Sequence, residues 1–374
     1  MRYYLIAGEA SGDLHAGNLM KQILLQDPKA EFKFFGGDKM LEVGGDLKVH
    51  YRQMAFMGFV EVILHLREIL KLLKTAKADV LQWKPDVLIL VDYPGFNMRM
   101  AEMAHQNGIK VVYYISPQIW AWKQNRVFKL KKTVDRMMVI LPFEKDFYAK
   151  FGMEVDFVGH PLLDAINNKA HWQALIPDAW KHNKPIVALL PGSRKQEVSK
   201  VLPVMLQAIK GLDQYHFVLA KAPGLDLSFY APFLDSHAVE IAENLTYPLL
   251  SVAKAALVTS GTATLETALF GVPEVVCYKG GKLSYLIAKQ LVKIPYISLV
   301  NLVVNKPLVK ELIQDELNVR NLRANLLHIL QPIQQAEFVQ EYQALSEMLG
   351  GSGASARAAS IVVEVARSGK RALA

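Results

Sequence analysis

Carboxylates that end apolar runs, and small-residue turns that precede helical patterns, are the places where this sequence could do chemistry. Asp92 follows the run 87–91 directly, in the segment DYPGFN. A carboxylate at the carboxyl end of a parallel strand stands where ligands collect in open α/β sheets, and with Pro94 and Gly95 shaping the turn it is placed to act as a general base. The plainer alternative is a turn cap ahead of Asn97, itself read as the N-cap of a helix over 98–106. Near the amino terminus, GEASGDLHAG sets Glu9 and Ser11 between Gly8 and Gly12, ahead of a helix expected to start near Asp13 or Leu14. Such a loop offers unpaired N–H groups and the positive end of a helix dipole to a phosphate or a sugar hydroxyl. A tight glycine turn capped by Asp13 also fits; the company of Glu9, Asp13 and His15 favours the ligand reading.

The second half repeats the arrangement. The run 186–190 ends in PGSRKQEV, where Ser193 and Arg194 precede a helical pattern whose regular part is expected from about Lys200 because of Pro203. A small loop with an arginine at a helix start can hold two phosphate oxygens, and guanidinium stays charged at any working pH; an idle exposed arginine is the alternative. The run 256–259 leads into SGTATLETALFGVP, so that Ser260, Gly261 and Thr262 form a second phosphate-type turn. One turn further on, the Glu266 carboxylate could accept both hydroxyls of a ribose diol.

These residues need a scaffold. Apolar runs at 3–7, 32–35, 87–91, 111–115, 137–141, 186–190, 217–220, 256–259 and 274–278 alternate with helical patterns, the signature of strand–helix–strand units in parallel sheets. Because the series repeats after about residue 180, two similarly built, doubly wound domains are expected. A nucleotide would lie in the cleft between them, on the carboxyl-terminal side. The expected division is 1–170, 171–349, and a closing piece 350–374 in which a composition-flexible GGSGASARA leads to a helix that docks on the first domain.

Composition narrows the partners. The 374 residues are 52% apolar and 21% charged, which fits a globular α/β protein and excludes disorder and collagen-like repeats. Forty-three Lys plus Arg against 35 Asp plus Glu leave +8, pointing to an anionic partner. The single cysteine, Cys277, forbids an internal disulfide and a thiolate metal cluster and suits a reducing compartment. The amino terminus is too short in apolar residues for a signal-peptide core, and no spanning helix is expected, so the chain is placed in the cytoplasm or on its membrane face. Two stretches bear on that face. MGFVEVILHLREILKLL carries Val60, Ile63, Leu66 and Ile69 among interleaved cations, either a packed stripe or an interfacial membrane helix. SPQIWAWKQNRVFKLKKTVDR sets Trp120 and Trp122 among basic residues; nucleic acid could use such a run, but a solvated face or an anionic sugar phosphate or bilayer suits it better.

The chain resembles the lipid-A-disaccharide synthases, glycosyltransferase family 19 of Gram-negative outer-membrane lipid assembly. The resemblance runs over nearly the whole length through GEASGD, MGFVEV (57–62), D-x-P-x-F-N at 92–97, SPQIWAW (116–122), LPFE (141–144), GHP (159–161), LPGSR (190–194), SGTATLE (260–266) and SLVNL (298–302). It implies a GT-B fold whose last helix crosses back to the first domain, and no metal or other cofactor. The implied reaction joins the sugar of UDP-2,3-diacylglucosamine, with inversion, to the 6-hydroxyl of 2,3-diacylglucosamine 1-phosphate, giving a β-1,6 disaccharide and UDP. Family members lie peripherally on the inner face of the cytoplasmic membrane, have no nucleic-acid partner, and include an intertwined homodimer exchanging carboxyl-terminal segments. One departure stands out: Gly95 occupies the place of a second acidic residue common in the family. On this resemblance Asp92 is the base; Arg194, Ser193 and the amides near Gly261 and Thr262 stabilise the leaving diphosphate; Glu266 holds the ribose. Asn301 approaches the donor, and Glu9, Ser11 and Asp13 position a sugar. Val60, Ile63, Leu66 and Ile69 dock the membrane. Another GT-B enzyme acting on UDP-N-acetylglucosamine, either an epimerase or the peptidoglycan glucosaminyl transferase, would share the Arg194 and Glu266 logic. So would a non-catalytic UDP-sugar-binding membrane protein, which would have no need of Asp92.

Overall fold

Runs of Val, Ile and Leu that bury both faces become the interior strands of two parallel sheets. The computed structural model describes residues 1–54, 65–167, 169–181, 184–234, 238–281 and 294–369. The chain forms two compact units, Met1–Asp164 with Leu349–Ala374, and Ala165–Met348. In the first, β1 (Arg2–Ala7), β2 (Glu31–Gly36), β3 (Asp46–His50), β4 (Val87–Val91), β5 (Lys110–Tyr114), β6 (Arg136–Val139) and β7 (Asp156–Phe157) pair in the order β3-β2-β1-β4-β5-β6-β7. In the second, β8 (Ile186–Leu190), β9 (His216–Lys221), β10 (Val239–Glu243), β11 (Ala253–Thr259), β12 (Glu274–Tyr278) and β13 (Lys310–Ile313) pair in the order β10-β9-β8-β11-β12-β13. The winding direction reverses between β1 and β4 and again between β8 and β11, and such switch points open crevices at the carboxyl ends of the strands.

The two faces of the first sheet have different covers. Tyr3, Leu5, Ile89, Val112 and Tyr114 pack with the helix Ala10–Gln26 and with Ala358, Val362 and Val363 of the last helix, Ala354–Arg367. The opposite face carries the helices Leu66–Trp83, Pro94–Gln106 and Val127–Thr133, with Tyr4 edge-on to Trp83 at 6.0 Å and Phe35 near Phe96 at 6.4 Å. Pro94–Gln106 contacts both of its neighbours, and Lys129 ties it to Val127–Thr133 through Glu102 at 2.7 Å. The second unit has its own core of Ile186, Ala188, Val218, Leu249 and Val258, to which Trp180 belongs.

Several local expectations are corrected. The first helix begins at Ala10 rather than near Asp13, and its N-cap is Glu9. The helix expected over 98–106 begins at Pro94, with Asn97 buried inside it rather than capping it. The helix after Arg194 begins at Lys195 and runs through Pro203, because the buried stripe Val198, Val201, Leu202, Met205 and Leu206 holds it to the sheet across the missing amide. The glycine-rich stretch before the last helix is an ordered crossover, not a loose tether. Arg357 donates to the carbonyls of Val158, Ser352 and Gly350, and the Asp164 carboxylate accepts from Gly353 N at 2.6 Å and Ser355 N at 2.8 Å. Gly350, at φ +86°, lies so close to Gly159 that a Cβ would sit 3.0 Å from its Cα, which explains small residues at both places.

Candidate functional site

The first unit holds Asp92 in a backbone conformation that ordinary residues avoid. Asp92 has φ +43° and Tyr93 φ +49°, both left-handed, at the carboxyl end of β4. Surrounding bonds over-determine the bend: Asp92 N donates to Tyr114 O at 3.1 Å, and its carbonyl accepts from Asn97 Nδ2 at 2.8 Å and from the Tyr113 hydroxyl at 2.7 Å. Tyr93 is anchored by its hydroxyl to Met54 O at 2.7 Å, and its ring fills the space that a Cβ on Gly8 would need. Gly8 therefore brings the Glu9 loop against the Asp92 turn. Burial first, then the Glu9 charge, with Glu144 a smaller contributor, push the Asp92 carboxyl up to about 7. That value suits a group that must take a proton near neutral pH. Glu144 in turn gathers Ser116 Oγ (2.6 Å), Trp120 Nε1 (3.3 Å) and the amides of Ile140 and Leu141, which joins the SPQIWAW and LPFE segments.

Of the loop residues expected to meet a sugar, Ser11 is exposed and Glu9 half-buried. Asp13 is corrected to a fold role. It is 3% exposed, and its carboxylate accepts from Gly37 N (2.7 Å), Lys39 N (3.0 Å) and Met40 N (3.2 Å), fixing the start of the short helix Asp38–Leu41. His15, whose company had favoured the ligand reading, is buried too. Desolvation holds its imidazole down to about 4 and that of its neighbour His160 to about 3, so both are neutral.

The second unit contains a cavity of about 280 Å³ at the carboxyl ends of β8, β9 and β11. Ser193, Gly261, Thr262 and Glu266 all line it. Gly192, at φ +113°, makes the turn before Ser193, where a Cβ would strike the Glu197 side chain. Glu266 accepts from the Tyr247 hydroxyl at 3.0 Å through Oε1, and burial raises its carboxyl. Thr259, whose Oγ1 is buried with no hydrogen-bond partner among the described residues, is also part of the lining. Arg194 is beside the cavity rather than in it: it is the N-cap residue of Lys195–Ile209, 62% exposed, 3.5 Å from Glu197.

Asn301 is corrected outright. It is 1% exposed; its Nδ2 donates to Val309 O (2.9 Å) and to Glu311 Oε1 (3.0 Å), and its Oδ1 accepts from Val309 N (2.9 Å). Every polar atom of the amide is thus engaged in tying the helix Leu299–Val304 to β13, and it borders a different cavity of about 450 Å³. Lys221 is the functional candidate that sequence reasoning missed. Only 7% exposed, it lines the same cavity as Ser193 and Glu266, pairs with Glu243 at 2.9 Å and donates to Leu225 O at 2.9 Å. It ends β9 as Asp92 follows β4, so the rule that found Asp92 would have found it. Thr246, also in the lining, carried no local signal.

Of the expected membrane-docking residues, Val60 and Ile63 lie outside the described residues. Leu66 is 50% exposed and Ile69 half-buried, whereas Leu73, Ala76 and Val80 of the same helix pack inward. Among the described residues no helix is long and apolar enough to cross a membrane, and no group of acidic, His or Cys side chains is placed to hold a metal ion.

A family model described as lipid-A-disaccharide synthetase matches residues 3–365. The lipid-A-disaccharide synthase of Geobacter metallireducens is 40% identical over 372 residues, covering 97% of each chain. That of Syntrophus aciditrophicus is 42% identical over 364 residues, covering 95% of each. Among solved structures, the kitacinnamycin glycosyltransferase superposes with a TM-score of 0.66 at 15% identity, over 97% of this chain and 98% of that one. The UDP-GlcNAc 2-epimerase of Methanocaldococcus jannaschii does so with 0.65 at 14%, over 97% and 100%. At such identities these two speak for the fold alone, which is GT-B.

Proposed function

The chain belongs to the lipid-A-disaccharide synthase family, whose members are UDP-sugar glycosyltransferases of lipid A assembly, and from that premise we propose how its residues divide the reaction. The donor is UDP-2,3-diacylglucosamine and the acceptor 2,3-diacylglucosamine 1-phosphate. Asp92 takes the proton of the acceptor 6-hydroxyl as that oxygen attacks C1 of the donor sugar from the face opposite the diphosphate. The C1–O bond to UDP breaks, the configuration inverts, and UDP carries off the bonding pair. The observation that carries this reading is the locked Asp92 turn, with its carboxyl pushed up to about 7 by burial and by Glu9.

The developing charge on UDP falls to the second unit. Ser193, Gly261 and Thr262 offer hydroxyls and amides at two helix starts, Arg194 supplies the cation, and Glu266 takes the ribose diol. Glu9 and Ser11 position a sugar. No metal is required in this scheme. Both lipids keep their acyl chains in an anionic bilayer on the cytoplasmic side, because extraction costs about 0.8 kcal/mol per CH₂.

The test is to supply both lipid substrates to the pure protein and follow UDP and disaccharide. Added EDTA should leave the rate unchanged; a loss restored by Mg²⁺ would overturn the metal-free scheme. The epimerase-like fold raises one rival, and conversion of UDP-N-acetylglucosamine alone to an epimer would favour it. Arg194→Ala should weaken UDP binding by about 10- to 100-fold, the worth of a charge-assisted hydrogen bond. Equal UDP affinity by titration calorimetry would take Arg194 out of the phosphate site.

A further inference from the structure

The aromatic and basic run after β5 is left unused by the reaction, and its surface has a definite chemistry. Trp122 is 50% exposed and Phe128 62%, while Trp120 beside them is buried. Lys123 Nζ lies 4.2 Å and the Arg126 guanidinium 5.7 Å from the Trp122 ring centre, so the indole is flanked by cations. Residues 119–134 contain five Lys or Arg and no Asp or Glu. Of these, Lys129 is paired with Glu102 of the adjoining helix, and Lys131 reaches the Phe151 carbonyl while its side chain stays on the surface.

Topology places this patch usefully. In a parallel sheet the crossover leaves from the carboxyl edge, so the short helix Ile119–Trp122 that follows β5 starts from the edge that carries the Asp92 turn, and Phe128 lies further along the same crossover, edge-on to Phe151 at 5.8 Å. The helix Leu66–Trp83 starts at the same edge and on the same side of the sheet, and it exposes Leu66 (50%) and Leu70 (53%) there. Exposed aromatic rings in a stretch rich in Lys and Arg and without acidic residues have the composition of a membrane–water interface anchor.

We propose that Trp122 and Phe128, with Lys123, Arg126, Lys131 and Lys132, form an interfacial anchor that seats the first unit on an anionic bilayer, its Asp92 edge toward the lipid. The inference rests on the reading that both substrates stay in a membrane, and adds the surface that meets it. Charge selects this occupant: a zwitterionic lipid offers the four cations no net negative charge, and a protein partner would have to be acidic around an apolar centre.

The experiment is co-sedimentation of the full chain with vesicles of phosphatidylcholine, with and without phosphatidylglycerol, at low and high salt. The wild type should partition about tenfold better onto the anionic vesicles and lose that gain in salt. Trp122→Ser with Phe128→Ser should cut partition about tenfold, and Lys123→Glu with Arg126→Glu should abolish the preference for anionic lipid, both with native circular dichroism. Trp122→Phe, too mild to unfold the chain, should remove the quenching of protein fluorescence by brominated lipid. If the wild type binds no vesicle yet makes disaccharide in detergent, the membrane reading itself falls. If it binds, and only Leu66→Ser with Leu70→Ser releases it while the Trp122 and Phe128 variants stay bound and quenched, this anchor alone is overturned. Patch-dependent binding of a single-stranded oligonucleotide in place of vesicles would overturn it in favour of nucleic acid.

Discussion

Replacing Asp92 by asparagine is expected to cut turnover by about two to four orders of magnitude, the usual worth of a general base, while UDP affinity is unchanged. The substitution keeps the shape and leaves the bonds that hold the turn in place, because Asn97 and Tyr113 grip the backbone carbonyl of residue 92 and not its carboxylate. What is lost is the proton acceptor. Since burial and Glu9 push the carboxyl up to about 7, a growing share of the wild-type enzyme is protonated and idle below neutrality. kcat/KM should therefore fall about tenfold per pH unit on the acid side and level off on the alkaline side. Glu9→Gln removes a charge that raises the Asp92 value, so the acid limb should move to lower pH. Near-normal turnover in the asparagine variant would assign the base elsewhere, as would a wild-type acid limb at the ordinary carboxylate value of about 4.

Replacing Glu274 by methionine is expected to make the protein more stable at neutral and alkaline pH. Glu274 opens β12 fully buried, and neither carboxylate oxygen has a partner among the described residues. Burial drives its carboxyl well above 4.5, the value it regains on unfolding. The native state thus holds a proton that the unfolded chain releases. Below the unfolded value both states are protonated and the group costs nothing through ionisation; above it stability declines with pH, by up to about 1.4 kcal/mol per unit until the buried group ionises. Methionine has similar length and nothing to titrate. Thermal unfolding should show the variant ahead by several degrees at about pH 8, with the gap narrowing toward about pH 4. Parallel melting curves for the two proteins across that range would mean that Glu274 is neutralised by an interaction and not by a proton.

The residues expected to do chemistry fared according to what each had to satisfy. Ser193, Gly261, Thr262 and Glu266 reach one cavity because a turn between a buried strand and a helix places them there whatever surrounds it. Asp13 and Asn301 looked equally functional in sequence, but neighbours distant in the chain consume them: the amides of residues 37–40 in one case, Val309 and Glu311 in the other. A side chain's type declares what it can bond, and only the folded chain declares which partner arrives.

The strands divide in the same way. Every run read as a strand lies inside a sheet, where two covered faces demand mostly apolar residues, whether Val, Ile and Leu as in β4 and β8 or Phe as in β2. The strands not anticipated, β3, β7, β10 and β13, are the four sheet edges, short and half-polar, with patterns that no periodicity distinguishes from loop. Sequence alone therefore determined the interior of both sheets, the switch-point turns they create and the family these turns resemble, because burial on two faces leaves little choice of residue. Tertiary structure decided the edges, the pinning of the last helix by Asp164 and Arg357, and the environment that lifts Asp92 toward neutrality, because each depends on groups brought together from far along the chain.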